Sequence, residues 1–247
     1  MISLKDKTIL ITGASSGIGR ALALRLAKEN CNLILCARRL ELLKAVDEEL
    51  KKVNPTIKTL IIKADVSQEK EVANLFNVAM GRFGMIDILV NNAGKGLQSP
   101  LHEISTEDWN SVISTNLTGV FLCSREAVKH MLTERIKGHI ITVCSIAGLY
   151  GAPNYSAYCA SKHAVAGFKR SLWLELRKKG IKVSTIYPAR VDTEFFSSYD
   201  KPPSRKKMIS PEDIAEYLIS IMKQQKIGRV LNRIKLAYQR ARNLVRR

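Results

Sequence analysis

Lys7-Thr8-Ile9-Leu10-Ile11-Thr12-Gly13-Ala14-Ser15-Ser16-Gly17-Ile18-Gly19 is the stretch on which the fold turns. Its first half is a short apolar run of the kind that forms a buried strand, and its second half is a glycine-rich turn. Leu22, Leu26 and Ala27 then follow at helical spacing. Strand, turn and helix in that order make an anion cradle, because glycine lets the backbone come close and a helix N-terminus presents free N–H groups and a positive dipole end. The competing reading is a glycine-rich turn that holds no ligand.

Working outward, Asn32 to Ala37 reads as the next strand, followed by Arg38 and Arg39. Dinucleotide folds often place an acid there to grip a ribose 2′-hydroxyl. Two guanidiniums suit a 2′-phosphate instead, which predicts NADP(H) over NAD(H). The alternative is that both are solvated residues capping a helix over Leu40 to Val53. The alternation then continues with a strand at Thr59 to Ile62 leading to Asp65-Val66, a helix over Glu69 to Phe83 and a strand over Ile86 to Val90, ending in Asn91-Asn92-Ala93-Gly94. Ser105 starts a long helical region running toward Met131, with Asn116 readable as a satisfied core amide or a site residue. Strands at His139 to Cys144 and Val183 to Tyr187 deliver Ser145 and Pro188, with Val191 and Thr193 beyond. Repeated β–α units with continuous apolar strands predict a parallel sheet covered by helices on both faces, and ligands in that architecture bind beyond the carboxyl ends of the strands.

Between the last two strands lies a helical segment, Asn154 to Lys179, that carries Tyr158 and Lys162. Four residues apart, they project from the same side of the helix. Free tyrosine titrates near 10, and a cation about 4 Å away at an effective dielectric near 20 favours phenolate by roughly 4 kcal/mol. The pair is therefore a candidate for proton transfer, although this spacing also arises by chance on solvated helix faces.

Composition limits the other possibilities. At 247 residues the chain can bury one large core, which suits one α/β domain. There is no apolar run of membrane-spanning length and no signal-peptide layout at Met1 to Lys7, so a cytoplasmic protein is expected. Cys31, Cys36, Cys123, Cys144 and Cys159 form no CxxC pair, and the four histidines are scattered, so neither a disulfide framework nor a metal site is expected. The formal charge is +18, and ten of those excess charges fall in residues 201–247, which makes the basicity a property of one end rather than a nucleic-acid-binding signature of the whole.

The carriers Thr12 to Gly19, Asp65-Val66, Asn91-Asn92-Ala93-Gly94, Asn116, Ser145 and Tyr158-x-x-x-Lys162 together resemble the short-chain dehydrogenase/reductase family, over about Thr8 to Thr193. The resemblance implies a Rossmann-like, doubly wound and mainly parallel sheet of about seven strands. It implies Tyr158 as acid/base, Lys162 on the nicotinamide ribose and lowering the tyrosine pKa, Ser145 on the substrate oxygen and Asn116 in a water-linked proton relay. Cofactor contacts would come from Gly13, Ser15, Ser16, Gly17, Ile18 and Gly19 of the turn, from Arg38, Arg39, Asp65 and Val66, and from Asn91, Ala93 and Gly94. Pro188, Val191 and Thr193 would complete the NADP(H) site, and a homodimer or homotetramer is implied.

Two departures from the family pattern stand out: Ala189 follows Pro188 where glycine is common, and the C-terminus runs from Arg229 to Arg247 without an acid. The expected layout is one catalytic domain over residues 1–236, including a short seventh strand and a substrate loop at about 194–210, then a basic tail over 237–247. The tail reads either as an attachment to an anionic membrane surface or acidic carrier protein, or as a solvated subunit-contact helix. Phe195, Phe196 and Tyr199 near Arg205-Lys206-Lys207 suit an apolar carbonyl compound bearing a distant anion, such as an acyl thioester on a phosphopantetheine carrier, or equally an ordinary mobile loop with a soluble face. The expected substrate class is an apolar ketone or 3-oxoacyl compound. The expected activity is NADPH-dependent interconversion of carbonyl and secondary alcohol. The contrasting reading is a cofactor-binding scaffold acting through the tail.

Overall fold

A computed structural model describes residues 1–197, 199, 204 and 208–224. Six strands form one sheet: β1 (Thr8–Thr12), β2 (Asn32–Ala37), β3 (Thr59–Lys63), β4 (Ile88–Asn91), β5 (His139–Val143) and β6 (Lys182–Ile186). All neighbours pair in parallel, in the order β3-β2-β1-β4-β5-β6. The sequence predicts about seven strands, and the stretch expected to supply the last one lies outside the described residues.

The continuous apolar strands have a simple cause: both faces of the sheet are covered. Successive side chains point to opposite faces. Ile9 and Ile11 therefore pack with α1 (Gly17–Leu26), α2 (Leu40–Val53) and α7 (Pro211–Met222). Leu10, between them, packs on the other side with α3 (Glu69–Phe83), α5 (Gly119–Thr133) and α6 (Ser156–Leu176). Residues such as Leu10, Ile34 and Leu89 are fully buried and contribute about 1.5–3 kcal/mol each. Below the sheet, Asp87 ties β4 to β1, accepting from the Thr8 N–H at 2.9 Å and the Lys7 ammonium at 2.8 Å.

Because β1 sits between β2 and β4, the chain leaves it in one direction first and then in the other, and a crevice opens beyond its carboxyl end. The connections after all six strands empty into that crevice. Ser105 seals its helix start as expected, accepting from the Asp108 N–H at 3.0 Å, and Ser210 does the same for α7, accepting from the Asp213 N–H at 3.0 Å. The long helix read from Ser105 toward Met131 is not continuous. It is α4 (Thr106–Ile113), one π-helical turn at Ser114–Thr118, and then α5.

Candidate active site

The crevice is a cavity of about 860 Å³ that extends from the glycine-rich turn to Tyr158. Its floor is set by close backbone approach. Gly13 has a φ of +65°, and a Cβ there would lie 2.8 Å from Ala93 Cα, so no other residue fits without moving β4's exit. A Cβ on Gly19 would come within 2.3 Å of the Gly13 carbonyl, so Gly19 presses helix against turn and does not line the cavity itself. Thr12 holds the two exits together by accepting from the Asn92 and Ala93 N–H groups at 3.0 and 3.1 Å. Asn92 returns the tie, donating to the carbonyls of Thr12 and Gly13, both at 3.1 Å.

Ser15, Ser16, Gly17 and Ile18 line the cavity at the start of α1, whose N-cap Ser16 makes no side-chain cap. The helix N–H groups stay available to an anion. The Ser15 and Ser16 hydroxyls instead accept from Arg39, at 3.3 and 2.7 Å, and Arg39 also faces Glu194 at 3.5 Å. Arg38 stands 3.8 Å from Asp65, which in turn accepts from the Ser67 N–H and hydroxyl. Both arginines and Asp65 and Val66 line the cavity as the sequence predicts, though each arginine has a carboxylate neighbour, and one of these, Glu194, carries no local sequence signal.

At the other end, Ser145 follows β5 and Tyr158 and Lys162 rise from α6, all three on the cavity wall. The Ser145 hydroxyl, which accepts from the Ala147 N–H at 3.1 Å, faces the Tyr158 phenol closely enough to favour its ionised form. The Lys162 ammonium lies 5.6 Å from the Tyr158 ring centroid, and both residues are buried. That burial reverses one expectation: the phenol is pushed well above its ordinary value rather than lowered by the lysine, with the Ser145 hydroxyl offsetting only part of the rise. Burial also pulls the ammonium below its usual value.

Ala93, Gly94, Pro188, Val191 and Thr193 also line the cavity. Asn91 and Asn116 do not. Asn91 turns its amide to the other face of the sheet and donates to the Ser124 hydroxyl at 3.0 Å. Asn116 is fully buried in the π-helical turn; it accepts from the Lys95 N–H at 2.7 Å and donates to the Lys95 carbonyl at 2.9 Å and the Ser161 hydroxyl at 3.0 Å. Its side chain acts as a brace between the exit of β4 and α6. Over the site, Phe195 packs on Tyr158 at 5.6 Å between centroids, and Phe196 and Tyr199 extend the aromatic cluster to Tyr155. Arg205 to Lys207 and the basic tail lie outside the described residues.

These residues fit a nicotinamide dinucleotide: a glycine cradle with uncapped helix N–H groups for a pyrophosphate, and a buried ammonium, without an ion pair among the described residues, beside a phenol and a hydroxyl. Among the described residues no group of His, Cys, Asp and Glu forms a metal site, and the five cysteines are buried and free. No helix among those residues is long and apolar enough to cross a membrane.

Comparison with known proteins agrees with this geometry. The family profile described as short chain dehydrogenase matches residues 7–203. An uncharacterized oxidoreductase of Staphylococcus aureus strain USA300 is 35% identical over 226 residues, covering 92% of this chain and 95% of its own. Among solved structures, levodione reductase superposes with a TM-score of 0.84 at 30% identity, over 92% of this chain and 94% of its own. An alcohol dehydrogenase from the archaeon Thermococcus sibiricus, complexed with 5-hydroxy-NADP, gives 0.83 at 30% identity over 91% and 93%. A short-chain dehydrogenase/reductase from Burkholderia phymatum in complex with NAD gives 0.81 at 28% identity over 90% and 87%.

Proposed function

The chain belongs to the short-chain dehydrogenase family, and from that premise we propose that it is an NADP(H)-dependent oxidoreductase interconverting an apolar ketone or 3-oxoacyl compound and the secondary alcohol. The observation that carries this reading is the continuity of one cavity, from the cradle at Gly13 to the convergence of Ser145, Tyr158 and Lys162. When bound, the nicotinamide supplies the hydride. The pyrophosphate would rest on the N-terminus of α1, the 2′-phosphate beside Arg38 and Arg39, and the nicotinamide ribose on Lys162.

Reduction needs a proton donor at the carbonyl oxygen and a hydrogen bond for the developing alkoxide. Tyr158 would supply the proton and Ser145 the hydrogen bond. A phenol that burial keeps protonated suits the donor role in this direction. The reverse reaction needs phenolate, which the Ser145 hydroxyl favours against the opposing effect of burial. Asn116 would position the loop after β4 rather than carry protons through its side chain. Tyr155, Phe195 and Phe196 give the carbonyl end an apolar aromatic wall that excludes water from the alkoxide. Assembly as a dimer or tetramer belongs to the same proposal. The test is NADPH and NADH consumption across a panel of ketones and 3-oxoacyl thioesters. Turnover of at least one, faster with NADPH, is expected; cofactor binding without turnover of any panel member contradicts the reading.

A further inference from the structure

Six charged side chains line the cavity: Arg38, Arg39, Asp65, Lys162, Arg190 and Glu194. Five of them are accounted for. Arg38 faces Asp65 at 3.8 Å, Arg39 faces Glu194 at 3.5 Å, and Lys162 is buried beside Tyr158. Arg190 is left over. It is exposed, and its guanidinium makes no ion pair or hydrogen bond among the described residues.

Its place in the site is fixed by its backbone. Two residues earlier the Pro188 carbonyl accepts from the Ile146 N–H at 3.0 Å, directly after Ser145. The Arg190 carbonyl itself accepts from the Ile209 N–H at 2.9 Å, and the Asp192 N–H donates to the Ile209 carbonyl at 2.9 Å. The residue therefore cannot drift from Ser145 without breaking these bonds. Its charge is felt by the Tyr155 phenol, which it pulls downward against burial, and the Tyr155 ring stands 6.5 Å from that of Tyr158. An unpaired cation thus borders the aromatic part of the cavity, on the side where a carbonyl compound would meet its proton donor.

We infer that Arg190 is a specificity-determining residue, and that the substrate is a carbonyl compound whose apolar body ends in an anion, a carboxylate or a phosphate. The apolar body lies between the rings of Tyr155 and Phe195, with the carbonyl at Ser145 and Tyr158. The anion reaches the mouth, where the guanidinium is exposed and a bidentate pair costs little desolvation. Low-dielectric aromatic walls strengthen the attraction for such a substrate over its neutral analogue. This inference rests on the oxidoreductase reading above and narrows its substrate class.

The experiment is a set of ketones with matched chain lengths, each ending in a carboxylate, its methyl ester or a phosphate, reduced by the full-length protein with NADPH. At one or more lengths a charged member is expected to exceed its ester by about tenfold to a hundredfold in kcat/KM. Whether the carboxylate or the phosphate leads identifies the source of the anion. Arg190→Gln should remove that advantage chiefly through KM while the ester loses far less, and Arg190→Lys should restore part of it. Esters equal to or better than both charged series at every length overturn the inference, as does an Arg190→Gln protein that keeps the preference or loses ester and acid activity alike. Turnover of the esters without a charge preference defeats this inference alone. Failure to reduce any member with either nicotinamide cofactor removes the oxidoreductase reading and the inference together.

Discussion

Asn116 donates to the Ser161 hydroxyl at 3.0 Å, and through that bond the interrupted helix of α4 and α5 is tied to the helix that carries Tyr158. Ser161 passes the tie on, donating to the Tyr158 carbonyl at 2.7 Å, while the other side of the Asn116 amide grips both backbone groups of Lys95. The loop after β4 and the proton-donor helix are therefore held by one fully buried side chain.

Asn116→Ala should leave the N–H and carbonyl of Lys95 without partners. Each unmet buried group costs about 1–3 kcal/mol, so a loss of about 3 kcal/mol is expected. In a chain of this size that corresponds to a fall of roughly 10 °C in Tm. Asn116→Asp, which sets a buried carboxylate against the Lys95 carbonyl, should do no better than Asn116→Ala at neutral pH. Thermal unfolding of the three proteins checks this, and a Tm for Asn116→Ala equal to the parent's contradicts the bracing role.

Lys169 offers a pH-dependent test away from the chemistry. It is buried in α6, with the Ser124 hydroxyl at 3.5 Å and the Phe168 ring centroid at 5.8 Å, and burial pulls its pKa from 10.5 down to about 7. Between those values the unfolded chain holds a proton that the folded one has released, so this group's contribution to stability rises with pH from about 7 to 10.5. Below that window both states are charged and the cost of burying the ammonium is fully present. Lys169→Met should accordingly stabilise the protein by about 1–3 kcal/mol near neutral pH. The gain should shrink toward pH ~10, and unfolding of both proteins at about pH 6, 8 and 10 measures it. A gain that grows with pH has the wrong sign.

Arg38 gives the sharper cofactor test, because Arg39 also braces Ser15 and Ser16 and its loss would loosen the turn for any dinucleotide. Arg38→Asp should weaken NADPH by about tenfold to a hundredfold while NADH changes much less. Titration of both cofactors by fluorescence reads the ratio, and an unchanged ratio removes the 2′-phosphate assignment.

Much of this molecule is legible in its sequence, for a physical reason. Strands buried on both faces must be apolar throughout, so the runs at Thr8, Asn32, Thr59 and His139 lie within a residue of the observed ends. Helices α2 and α3 span the residues the sequence predicts, each acidic in its first turn and basic in its last. The break at Ser114–Thr118 is hidden because the apolar period passes through it undisturbed; the π-helical turn arises where Asn116 bonds to Lys95 and Ser161, contacts that are remote in sequence. Strand alternation does carry a signal that went unused: of the consecutive asparagines at the end of β4, only one can face the glycine-rich turn, and it is Asn92. The rise in the Tyr158 pKa, and the parts taken by Glu194 and Arg190, depend on burial and on loops brought together by the fold. No local pattern encodes those.

The central claim is that the Tyr158 phenol donates the proton in a site whose cofactor end is separate from it. Its most direct test compares Tyr158→Phe with the parent protein for NADPH affinity and for turnover of the best substrate in the panel. The account predicts a loss of turnover of about a hundredfold or more with NADPH affinity nearly intact. Turnover retained within a few-fold of the parent would contradict it.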